Sequence, residues 1–103
     1  MKIYASSRSN DLTRYVGKPI WLLVGKPGYP QDFYIKIVTL NDPEYPKWPV
    51  KYYLIRSFDL TYQTGLYDEH NCTHASFNNF VFKGEAYTDE EMREMIAAEN
   101  EDE

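Results

Sequence analysis

Apolar and polar positions along this chain fall into short blocks rather than long helical stripes. The stretches 20–24 and 33–40 are dense in β-branched and aromatic residues, and Gly25-Lys26-Pro27-Gly28-Tyr29-Pro30 separates them. Two such blocks about a Gly/Pro turn predict a β-hairpin, with Pro19 placed where a missing N–H does least harm. In its second strand Phe33, Ile35 and Ile37 share one face, and Tyr34, Lys36, Val38 and Leu40 share the other. One face is clean and the other mixed, which predicts good cover on one side only. The mixed face is expected to lie under the C-terminal helix rather than open to a ligand.

Around the hairpin the pattern predicts further strands. Residues 2–5 alternate and read as a short first strand. Asn10 can cap a single helical turn over 11–15, ended by Gly17. Val50, Tyr52, Leu54 and Phe58 alternate with Lys51, Tyr53, Ile55 and Ser57, a third strand antiparallel to the hairpin. Residues 59–75 are ambiguous: Leu60, Tyr62, Thr64 and Leu66 alternate weakly, while Gly65 and Asp68-Glu69-His70-Asn71 favour a loop. Strand character returns over 76–84, where Asn78-Asn79 suggests a bulge or a late start.

The last element is a helix. Thr88-Asp89-Glu90-Glu91 forms a capping box, acids crowd the first turn, and Met92, Met95 and Ile96 make a narrow apolar stripe. Such a stripe can dock a helix on a sheet without burying it, and residues 100–103 are expected to fray. The predicted fold is α+β: a small antiparallel sheet, or a partly closed SH3-like or OB-like barrel, with one C-terminal helix. It is one domain over 1–103, with a β body at 1–85 and an acidic helix and tail at 86–103.

Composition narrows the function. The single cysteine, Cys72, rules out an internal disulfide. No signal-peptide core and no apolar run of membrane-spanning length is present, so a cytoplasmic location in the host cell and no membrane contact are expected. Asn71-Cys72-Thr73 fits a glycosylation acceptor only formally. The net charge of −5 is unevenly spread: residues 85–103 hold nine acids against Arg93 alone, while residues 1–84 carry a net +3.

Candidate chemistry is sparse. Asp68, His70, Cys72 and His74 alternate, and on an extended segment they would point one way, as zinc ligands or as a Cys–His nucleophile pair. Neighbours on one strand splay apart, however, and no second ligand cluster, oxyanion hole or phosphate loop accompanies them. No enzyme, cofactor or metal site is therefore expected. In Asn41 to Pro49 the prolines at 43, 46 and 49 recur with a polyproline II period, either as a stiff connector or as a loop presenting Tyr45 and Trp48 to a partner. Asp89, Glu90, Glu91 and Glu94 form either a solvated helix face or a docking surface for a basic groove on another protein. Basic and aromatic residues interleave on the strands as Tyr34, Lys36, Lys51, Tyr53, Arg56 and Lys83, a pattern that suits single-stranded nucleic acid.

In its size, its ten tyrosines, its lack of catalytic residues and its acidic end, the chain resembles small phage and mobile-element proteins of the anti-CRISPR type. The resemblance implies a stoichiometric protein that binds a nucleic-acid-handling enzyme and blocks its nucleic-acid site. The alternative is a small single-strand-binding barrel.

Overall fold

The computed structural model describes residues 9–57 and 69–101, so the strand expected at 2–5 and the ambiguous weak alternation over 60–66 lie outside the described residues. Five strands, β1 (Ile20–Gly25), β2 (Phe33–Thr39), β3 (Val50–Arg56), β4 (Glu69–Cys72) and β5 (Val81–Thr88), form one antiparallel sheet ordered β4-β3-β2-β1-β5. β4 and β5 are its two edges and do not pair with each other. Of the two expected forms, the chain takes the open sheet.

The sheet is the middle of three layers. Leu22, Val24, Ile35, Ile37, Val50 and Phe82 build the main core on one face. Full burial of each such side chain contributes about 1.5–3 kcal/mol. Leu12 and Tyr15, from a 3-10 helix over Ser9–Tyr15, cover part of this core. Phe77 and Phe80 cover another part, on the segment that crosses from β4 to β5. On the opposite face Trp21, Tyr34 and Ile55 meet Met92 of helix α2 (Asp89–Glu101), and Met95 and Ile96 pack at the margin. Of the mixed face of β2, the helix covers Tyr34, as expected, and leaves Lys36 and Val38 half-buried beside a pocket lined also by Lys18, Pro19 and Tyr53. The better cover on one side is as expected: Phe33, Ile35 and Ile37 are buried, whereas Lys36 and Val38 on the mixed face are only half-buried.

Register explains one departure from simple alternation. Ile37 pairs with Tyr52, but the next pair is Thr39 with Lys51, so two residues of β2 oppose one of β3. This bulge at Val38 reverses the facing of the chain beyond it, and Leu40 packs on the main core rather than on the helix side. A second irregularity lies in β5, where the two steps from Leu22 to Val24 in β1 are matched by four steps from Ala86 to Phe82 in β5. Gly84 sits inside it at φ +84°, a value that favours glycine. The strand therefore continues through Gly84 to Thr88 instead of ending there.

Three further expectations are corrected. The turn over 11–15 is a 3-10 helix that already begins at Ser9, although Gly17 does end it, at φ +75°. Residues 69–72, read as loop, are the edge strand β4, paired with β3 and held by polar contacts, by His70 stacked on Tyr52 and by Cys72 against the main core. Residues 76–77, read as strand, belong to a single helical turn, α1 (His74–Phe77), whose N-cap Thr73 accepts from the Ser76 N–H. The late start suggested by Asn78-Asn79 is real, because β5 begins only at Val81.

α2 begins as its sequence predicts. The Thr88 hydroxyl accepts from the Glu91 N–H at 3.1 Å, and the Glu91 carboxylate accepts from the Thr88 N–H at 3.0 Å. The helix stays regular through Glu101, past the expected point of fraying at Asn100.

Candidate functional site

The Tyr45/Trp48 loop joins β2 to β3 at one end of the sheet. Polyproline II geometry is corrected here, since that helix has no internal hydrogen bonds and this loop has several. Tyr45 N–H donates to Asp42 C=O, Trp48 N–H to Tyr45 C=O, and Asp42 N–H to Pro49 C=O, closing two successive turns across the base of the loop. The buried Asp42 carboxylate accepts from the Glu44 N–H and from Asn71 Nδ2, both at 3.0 Å. These bonds, the one from Asn71 first, hold its carboxyl below the ordinary range. Asn71 also donates to Trp48 C=O, fastening the loop to β4. On this frame Tyr45 and Trp48 stand 48% and 54% exposed.

The four acidic residues in the first two turns of α2 divide into two pairs. Asp89 points inward: Trp21 Nε1 donates to it at 2.5 Å and Lys36 Nζ at 3.0 Å. Glu91 closes the capping box. Glu90 and Glu94 stand on the exposed side of the helix. The outward negative surface of the first two turns thus consists of two carboxylates rather than four.

The basic and aromatic set is dispersed. Tyr34 is buried against Tyr87, and Lys36 is held by Asp89 and lies over the Trp21 ring. Lys51 and the Tyr53 hydroxyl both engage Glu69 on the helix side of the sheet. Lys83 reaches towards Asp32 at 4.0 Å. Arg56 alone faces the other way, into a cavity on the main-core side. The six do not form one surface.

His70, Cys72 and His74 are also separated. His70 and Cys72 share the Tyr52 side of β4, where the His70 ring stacks on Tyr52 at 5.5 Å. His74 opens α1 instead, and its Nε2 lies 3.0 Å from Leu40 O. Burial pushes the Cys72 thiol above its ordinary value, so it is protonated at neutral pH and a weak nucleophile. Among the described residues no three His, Cys, Asp or Glu side chains converge as a metal would require. Asp68 lies outside them.

Sequence reasoning missed the cavity that Arg56 enters. Its volume is about 370 Å³. Phe33, Tyr52, Leu54 and Phe80 form its floor, and Lys26, Tyr29 and Arg56 its rim. Pro27 and Gly28, at φ +89°, occupy the centre of a turn closed by Tyr29 N–H to Lys26 C=O, the pattern of a type II turn. That turn sets the Lys26 ammonium 5.6 Å from the Tyr29 ring centroid and 5.3 Å from that of Phe80. The one advance signal was Lys26-Pro27-Gly28-Tyr29 itself, whose turn geometry returns the tyrosine to the lysine.

No helix of the described residues is long and apolar enough to cross a membrane. No protein-family model matches this chain, and neither a curated protein nor a solved structure matches it.

Proposed function

We propose that this chain is a stoichiometric protein-binding module, not an enzyme, which inhibits a nucleic-acid-handling enzyme in the cytoplasm of its host. The observation that carries this reading is the ordered 41–49 loop, which holds Tyr45 and Trp48 half exposed on a frame of main-chain and Asp42/Asn71 hydrogen bonds. Aromatic anchors fixed before binding lose little entropy on docking and dominate many interfaces. The outward Glu90 and Glu94 add a negative field suited to a basic groove, where carboxylates can occupy the place of phosphates.

The test is affinity capture of the partner from host extract, followed by binding measurements with purified components. Trp48→Ala with Tyr45→Ala should weaken binding by about 2 kcal/mol or more, the scale of an interface hot spot. Glu90→Lys with Glu94→Lys should slow association and flatten its salt dependence. Both pairs of positions are exposed, so circular dichroism should show the fold retained. Unchanged affinity in both double variants would overturn the reading.

A further inference from the structure

At the end of the sheet opposite the Tyr45/Trp48 loop, the cavity beside Arg56 combines three features that the proposed protein contact does not use. Its volume, about 370 Å³, lies within the range of small-molecule sites. Its floor of Phe33, Tyr52, Leu54 and Phe80 is apolar, with the Tyr52 and Phe80 rings meeting edge to face at 5.9 Å. Its rim carries two cations, Lys26 and Arg56, with no carboxylate partner for either among the described residues, beside the 55% exposed Tyr29 ring. Elsewhere in the described sheet Lys36, Lys51 and Lys83 each face a carboxylate. Two cations left facing a cavity, in a chain of net charge −5, mark a place that favours an anion.

The chemistry of the walls defines that anion. Aromatic rings and an apolar floor favour a planar, π-bearing body over a sugar or an aliphatic acid. A guanidinium and an ammonium together suit a group of nearly two negative charges, and the planar guanidinium fork matches phosphate. We propose that this cavity binds a nucleotide, with the base against Tyr29 and the floor, and the phosphate between Lys26 and Arg56. The nucleotide is either free or one unit of a single strand, and both present the same base and phosphate. The site does not depend on the Tyr45/Trp48 contact and stands or falls separately.

Calorimetric titration and the ring resonances of Tyr29 and Tyr52 test it, with adenosine 5′-monophosphate, adenosine and a short oligodeoxythymidylate as probes. The mononucleotide or the oligonucleotide should bind saturably and shift the Tyr29 ring, with adenosine about tenfold or more weaker than its monophosphate. Arg56→Gln with Lys26→Gln should weaken binding about tenfold or more, in a protein whose circular dichroism and melting are unaltered. An oligonucleotide that binds much tighter than the mononucleotide, with steep salt dependence, identifies a strand as the source. Equal affinities identify the free nucleotide. The proposal is overturned if neither charged probe binds, if adenosine binds as tightly as its monophosphate, or if the double variant binds as well as the parent.

Discussion

Asp89 receives Trp21 Nε1 at 2.5 Å and Lys36 Nζ at 3.0 and 3.2 Å, at the point where β5 turns into α2. Glu90, next in the chain and identical in charge, faces solvent. Replacing the two should give different results. Asp89→Ala leaves the indole N–H without this acceptor and takes one counter-charge from the half-buried ammonium, a loss of about 1.5–3 kcal/mol. Asp89→Asn keeps an oxygen for the indole and should cost less. Glu90→Ala should change stability by less than about 0.5 kcal/mol. Urea unfolding followed by tryptophan emission measures all three, and equal effects at positions 89 and 90 would contradict the inward role of Asp89.

At the scale of the element, α2 joins two independent contributions that can be removed one at a time. Thr88→Ala opens the capping box and should cost about 1 kcal/mol. Met92→Ala removes the fully buried side chain that docks the helix on Trp21, Tyr34 and Ile55, at a cost of about 2–5 kcal/mol. Denaturant midpoints rank the two, and a larger loss at Thr88 would mean that the helix is held by its end rather than its face. Both features were legible in the sequence, because capping and stripe depend only on local spacing. Strand β4 was not, since Glu-His-Asn-Cys carries no apolar alternation. It is held by the ladder to β3 and by Tyr52, Lys51, Tyr53 and Asp42, side chains 16 to 29 residues from the β4 residues they touch. The bulge at Val38 was equally silent, because a one-residue offset exists only relative to a partner strand. The same limit hid the inward role of Asp89, whose partners Trp21 and Lys36 are 68 and 53 residues distant. It hid the cavity too, which draws on the hairpin turn, β3 and Phe80 at once.

For the molecule as a whole, the question is whether its two packed faces unfold together, and two tyrosines report on it. Tyr52 belongs to the main core and Tyr87 packs on the helix side. Burial pushes both hydroxyls up to about 12 from the ordinary 10, assisted by the neighbouring Cys72 at Tyr52 and by Glu85, which accepts from the Tyr87 hydroxyl at 2.8 Å. A group whose proton is held more tightly in the folded state adds stability below its unfolded pKa and loses that advantage as pH rises through the folded one. The contribution of these two tyrosines to stability should therefore be level up to about pH 10 and fall between about pH 10 and 12, as the unfolded chain releases protons that the folded chain retains. The ultraviolet absorbance of phenolate, followed beside circular dichroism through that window, distinguishes two forms of collapse. If the central sheet couples the layers, ionisation of Tyr52 and Tyr87 coincides with one cooperative loss of structure. Tyr87→Phe then shifts the whole transition to higher pH, because one of the proton-linked losses is gone. If α2 detaches first, Tyr87 ionises in an earlier step, Tyr52 follows later, and Tyr87→Phe moves only the first. With Met92 fully buried between the helix and three strands, the coupled form is the expected one.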